Sequence, residues 1–267
     1  MTELKGLGRL SRERLSRVLR STTGTISVGD VVRALEVNRT SASFMLSYWF
    51  RQGWVSKVKR GLYIPVPLYS FSAEPAIEDE WTIATRLFDP CYLGGWTAAE
   101  YWSLTDQVFQ TTFVFSTKKQ RNKNVQLANA RFSVTKVSKD SLYGLKKIWR
   151  DSVKVRISDP SRTIIDFMNS PNDVGGIRPI LDVLTVYMRS EYKDLSKLIE
   201  YAKKLGNKTV FKRMGFLAES ILSEEKEFLA LCKANMSKGI SFLAPSLPGK
   251  ILVAEWRLWV PSVLKEG

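Results

Sequence analysis

The sequence predicts an α+β fold in two parts: a small helix-rich module over residues 1–70 and a larger mixed α/β domain over residues 77–267. Three observations lead there. Residues 1–66 hold three short runs with helical spacing of apolar side chains, then two short β-prone runs about a glycine. The stretch 67–76, with Pro67, Pro75 and the start of an acidic run at Glu74, breaks both periodicities and reads as a linker. Beyond it, strand-like alternation at Thr112–Ser116, Arg131–Val137 and Val153–Ile157 is interleaved with helical stripes.

Within the small module, residues 9–20 set Leu15, Val18 and Leu19 among arginines, an amphipathic helix that Thr22, Thr23 and Gly24 end. Ser27 and Asp30 have the S-x-x-D spacing of a capping box, and Val28, Val31, Val32 and Leu35 supply the apolar stripe of a second helix. After the turn at Glu36-Val37, Asn38 caps a third helix that runs to Gly53. Trp54–Val58 and Leu62–Val66 flank the basic turn Lys59-Arg60-Gly61 and read as a hairpin.

Helix, helix, turn, helix, basic hairpin is the order of a winged helix-turn-helix. An α-helix fits the major groove of B-DNA, while a cationic hairpin tip reaches the neighbouring backbone or minor groove. At about 100° per residue the third helix separates into two faces. Ala42, Met45, Leu46, Trp49 and Gly53 share the core side; Thr40, Ser43, Phe44, Ser47 and Arg51 face outward, with Arg39 at the helix start. Small polar side chains suit base edges, and a Phe packs on a thymine methyl. Lys57, Lys59 and Arg60 complete the expected DNA-contacting set.

Charge agrees with that assignment. The chain of 267 residues has 41 Lys+Arg, 26 Asp+Glu and no His, a net +15. Twelve cations against four carboxylates give the first 70 residues +8, so about half the excess lies in about a quarter of the chain. Without His there is no Ser-His or Cys-His nucleophile, no imidazole base and no HExxH zinc site. Two cysteines, Cys91 and Cys232, cannot form a four-cysteine zinc site, and they leave room for one disulfide at most. No catalytic set, metal site or cofactor is expected. No apolar run approaches the ~20 residues that span a bilayer. The arginine-rich first twenty residues lack the apolar core of a signal peptide, so a cytoplasmic location is expected.

In the larger domain, 80–88 reads as a helix, and Gly94-Gly95 as a tight turn into another helix. No Lys-Ser/Thr pair follows the glycines, which excludes a P-loop. Lys118, Lys119, Arg121 and Lys123, among Gln and Asn, form an exposed basic loop. Asp159-Pro160 opens a helix with Asp at the cap and Pro in the first turn. Helical stripes continue to about Ala234, including Leu195, Leu198 and Ile199, then Val210, Met214, Leu217 and Ile221. Ile251–Trp259 reads as a closing strand. Asp89, Asp159, Asp166 and Glu255 are the carboxylates from which a metal-dependent nuclease would have to be built, and Asp159 already has a capping role.

The chain resembles, over nearly its whole length, the AbiEi family, the antitoxins of AbiE-type (type IV) toxin–antitoxin systems. The residues that carry the resemblance are Arg60-Gly61-Leu62-Tyr63, the block Tyr92–Gln107 (YLGGWTAAEYWSLTDQ), the basic loop, and VRISDPSRTIID at 155–166, in that order and spacing. The resemblance implies a winged helix that represses its own operon at inverted repeats of double-stranded operator DNA. It also implies a C-terminal domain that neutralises a nucleotidyltransferase-like toxin, directly or indirectly. With such a partner in view, Lys118, Lys119, Arg121 and Lys123 are the candidate antitoxicity surface. Two other functions stand beside this one: a regulator whose C-terminal domain senses a small ligand, and a winged helix fused to a metal-dependent nuclease.

Overall fold

The structure, a computed structural model, describes residues 8–22, 24–66, 77, 79–150, 153–174, 176–221, 224–245 and 251–261. The chain begins with helix α1 (Arg9–Arg20), strand β1 (Ile26–Ser27), helices α2 (Val28–Leu35) and α3 (Arg39–Arg51), and strands β2 (Val55–Lys59) and β3 (Leu62–Pro65). Helix α4 (Glu80–Phe88), strand β4 (Cys91–Leu93) and helix α5 (Gly95–Tyr101) follow. Strands β5 (Thr111–Ser116), β6 (Asn124–Leu127), β7 (Ala130–Lys136), β8 (Leu145–Arg150) and β9 (Val153–Ser158) come next. A helical run of α6 (Pro160–Asn169), α7 (Ile177–Arg189), α8 (Leu195–Leu205), α9 (Thr209–Glu219) and α10 (Lys226–Asn235) leads to β10 (Ser241–Phe242), β11 (Ile251–Val253) and β12 (Leu258–Val260).

The fold is mixed α/β, with sheets in the orders β1-β3-β2, β6-β7-β5-β4-β9-β8 and β10-β12-β11. The linker expected over 67–76 lies outside the described residues. The chain divides into two compact units: residues 1–91, 110–136 and 147–155 in the first, and 92–109, 137–146 and 156–267 in the second. Among the described residues no helix is long and apolar enough to cross a membrane.

In the first unit the local signals act as their chemistry dictates. Ser27 Oγ accepts from Asp30 N at 3.1 Å, and Asp30 Oδ2 accepts from Ser27 N at 2.8 Å, closing a capping box at the start of α2. Asn38 Oδ1 accepts from Ser41 N at 2.8 Å and starts α3. Leu15, Val18, Ile26, Val31, Ala42, Leu46, Trp49, Val55 and Tyr63 form one buried cluster. Full burial of a side chain the size of Leu46 contributes roughly 1.5–3 kcal/mol. Strand β3 pairs antiparallel with both β1 (Ile26 opposite Tyr63) and β2 (Lys57 opposite Tyr63).

Also in this unit, β5 and β7 run parallel from Thr111 opposite Arg131 to Ser116 opposite Lys136, and β6 turns back antiparallel onto β7. The alternation at Thr112–Ser116 and Arg131–Val137 thus becomes two paired strands displaced by at most a residue. Asp79 caps α4 through Oδ1, which accepts from Trp81 N at 3.0 Å. Arg86 Nη1 donates to Thr25 O at 2.9 Å and to Thr25 Oγ1 at 3.1 Å, tying α4 to the entry of β1.

In the second unit, Leu93 of β4 lies opposite Ile157 of β9 in a parallel pair. Asp159 caps α6 by accepting from Arg162 N at 2.8 Å, with Pro160 in the first turn. Gly215 of α9 faces Trp256, which is fully buried and donates Nε1–H to Glu219 Oε2 at 2.7 Å. The segment expected as one strand over Ile251–Trp259 is instead a hairpin: β11 and β12 pair antiparallel about a turn in which Arg257 has φ 52°. The apolar spacing is strand-like on both sides, but Ala254–Arg257 reverse the chain between them. Cys91 and Cys232 are both buried and neither is in a disulfide. Burial pushes the Cys232 thiol up to about 12.

Candidate nucleic-acid interface

Helix α3 has one face for the core and one for the surroundings. Ala42, Leu46 and Trp49 are buried, and Met45 is partly buried against the same cluster. Arg39, Thr40, Ser43, Phe44, Ser47 and Arg51 are all exposed. Phe44 is 69 % exposed, which removes it from the core and leaves a large apolar ring among small polar side chains. Tyr48 and Phe50, at 38 % and 44 % exposure, add two rings that the projection of the outward face did not include. Tyr48 stands four residues after Phe44, so helical spacing alone carried the signal.

The hairpin follows α3 without a break: Trp54 N donates to Trp49 O at 2.9 Å. Lys57 pairs with Tyr63 and Lys59 with Leu62, with a register shift between the two lysines. The turn is Arg60-Gly61, and Gly61 has φ +78°, a left-handed position that glycine takes without steric cost. Lys57, Lys59 and Arg60 are exposed as residues. Their ends differ, however. The Lys59 ammonium donates to Leu87 O at 3.0 Å, at the C-terminal end of α4, where the helix carbonyls favour a cation. Burial, and then the charge of Lys118, lower the Lys59 pKa from the ordinary lysine value.

Lys118, Lys119, Arg121 and Lys123 lie in the exposed link between β5 and β6, as the sequence predicts for a basic loop. That link belongs to the first unit, together with α3 and the hairpin. It leaves β5 at a pinned corner: Ser116 Oγ donates to Phe88 O at 2.6 Å and accepts from Lys118 N at 3.1 Å, and Thr117 N donates to Pro90 O at 3.0 Å. An open groove of about 720 Å³ runs along α1 between Arg9, Arg12, Glu13, Ser16, Arg17 and Arg20, with Arg9 paired to Glu13 at 3.2 Å.

Three of the four carboxylates singled out for nuclease chemistry have other tasks. Asp159 caps α6 and accepts from Tyr201 OH at 2.8 Å. Asp166 is paired with Arg162, and Glu255 with Lys233. Among the described residues no three His, Cys, Asp or Glu side chains come together in a way that could hold a metal ion.

No family model matches the chain, and no curated protein matches it. Among solved structures it is similar to the crystal structure of the RV2827C protein from Mycobacterium tuberculosis, with 16 % sequence identity and a TM-score of 0.60. The alignment covers 96 % of this chain and 93 % of that one, so the likeness is one of fold along nearly the full length.

Proposed function

We propose that the chain is a DNA-binding antitoxin. In this reading residues 1–70 are a winged helix-turn-helix that engages inverted repeats in operator DNA and represses the chain's own operon. The C-terminal part, 77–267, neutralises a nucleotidyltransferase-like toxin of the AbiE type. The observation that carries the DNA half is the exposed face of α3, with Arg39, Thr40, Ser43, Phe44, Ser47 and Arg51 on a helix whose other face is buried in the module's core. Such a helix presents donors, acceptors and one apolar ring to base edges, while Lys57 and Arg60 of the adjoining hairpin meet the phosphate backbone.

The antitoxin half is supported by the sequence blocks at 92–107 and 155–166, which carry the resemblance to AbiEi antitoxins. No side chain of this chain acts as a catalyst in it, and no cofactor or metal takes part. A duplex carrying the promoter region of the chain's own gene, set against a scrambled duplex of equal length, tests the DNA half by mobility shift. Tighter binding to the promoter, weakening as salt rises, is expected; equal and weak binding to both rejects it. Co-expression with the neighbouring gene tests the other half, which fails if that gene is not toxic or if this chain does not relieve its toxicity.

A further inference from the structure

The end of α4 is a common anchor for two cationic elements that are far apart in sequence. Leu87 O holds the Lys59 ammonium of the hairpin, Phe88 O holds the Ser116 hydroxyl, and Pro90 O holds Thr117 N, from which the basic loop departs. Three residues of chain span at most about 11 Å, so these anchoring carbonyls lie close to one another. The charge of Lys118 acts unfavourably on Lys59, and like charges on two elements anchored by hydrogen bonds to neighbouring backbone carbonyls are relieved by an anion laid across them.

Resting on the DNA reading above, we infer that the loop Lys118–Lys123 is a third element of the same duplex-binding surface, gripping the phosphate backbone beside the segment that the hairpin and α3 engage. The composition of the loop suits that task. Lys118, Lys119 and Arg121 are exposed and alternate with the neutral hydrogen-bonding groups of Gln120 and Asn122, with no carboxylate between residues 117 and 124. Each strand of a duplex offers a phosphate about every 3.4 Å along its axis, so a patch of this reach faces several. Side chains of these types supply most backbone contacts in protein–DNA complexes. The loop thereby leaves the candidate toxin surface and joins the DNA surface.

The test uses the full chain and a Lys118→Gln, Lys119→Gln, Arg121→Gln variant, with the promoter duplex and the scrambled duplex each titrated over a range of salt. The three side chains are exposed, and an unchanged melting midpoint checks that the variant is folded. Loss of two or three phosphate contacts lowers the slope of log K against log salt by about 2–3 and weakens both duplexes alike. An unchanged slope in this variant, with Arg39→Ala still losing promoter preference, overturns the loop proposal and leaves the DNA reading standing. Loss of rescue from the neighbouring toxin with the slope unchanged also overturns it, in favour of an acidic protein partner. If the unaltered chain binds neither duplex at low salt, the DNA reading falls and this inference with it.

Discussion

Arg162 and Asp166, one turn apart on α6, form an ion pair of 2.9 Å whose side chains are 1 % and 3 % exposed. Tyr92 OH lies 3.0 Å from both Arg162 Nη2 and Asp166 Oδ2, and the Arg162 guanidinium carbon is 4.1 Å from the centroid of the Tyr143 ring. Burial works against the guanidinium charge, but Asp166, with Tyr92 and Tyr143, outweighs it and holds Arg162 protonated. Arg162 Nη1 has no hydrogen-bond partner among the described residues, so the aromatic face is what compensates that side of the cation.

Removing one member of this pair leaves the other out of water without its counter-charge, and burial already raises the Asp166 pKa above the usual aspartate value. Asp166→Ala or Arg162→Met alone is expected to cost about 3–5 kcal/mol, while the double change Arg162→Met, Asp166→Leu costs much less. Urea unfolding of the three variants decides the matter. A single variant within 1 kcal/mol of the unaltered chain, taking about 1 kcal/mol as the scale of an exposed pair, would show that the pair is not desolvated.

Asp30 ties acid stability to the capping box. Burial raises its pKa, but hydrogen bonds from the Ser27 side chain and backbone and from Arg33, together with the charge of Arg86, outweigh burial and hold it below the usual aspartate value. Its stabilisation is therefore complete above the unfolded carboxyl pKa and is lost as pH falls through the lower, folded value. Asp30→Asn should be less stable than the unaltered chain at pH 7, with the gap closing below about pH 4. A gap that is constant between neutral and acid pH would contradict this sign.

On the proposed DNA reading, Phe44 separates reading from folding. At 69 % exposure, Phe44→Ala is expected to leave stability within about 0.5 kcal/mol. It should nonetheless weaken promoter binding more than binding to scrambled DNA, and Arg39→Ala should do the same by about 1–3 kcal/mol. Arg60→Ala, at the hairpin turn, should weaken both duplexes equally. Equal losses on both duplexes for all three variants would take the reading role away from α3.

Gly215 is required by the ring beneath it. A Cβ there would meet two ring carbons of Trp256 at 2.2 Å, and that ring is fully buried. Gly215→Ala gains about 1 kcal/mol of helix propensity but overpacks the site by about 1–3 kcal/mol. A lower melting midpoint is the expected outcome; a higher one would mean that the Trp256 ring moves aside at little cost.

What the sequence makes legible is what is local. The Ser27–Asp30 box, the Asn38 cap, the Asp159-Pro160 start and the two faces of α3 each depend on residues within a few positions, and each is present. Lys59 illustrates the opposite case, because its acceptor Leu87 O is 28 residues away and a lysine beside a turn looks solvated. Strands β6 and β8 are also illegible, since their side chains are mostly polar or exposed and no apolar alternation marks them. Arg162 reads as a helix-start cation, and only the fold brings Tyr92, 70 residues earlier, to its guanidinium.

The two thiols fall one in each compact unit, Cys91 in the first and Cys232 in the second. A buried thiol reacts with an alkylating reagent only when its surroundings open, so each cysteine keeps time for its own half of the molecule. With Cys91→Ser the label clocks the second unit, and with Cys232→Ser the first. Adding the promoter duplex, or the product of the neighbouring gene, to either single-thiol chain then shows which half, if either, the addition slows.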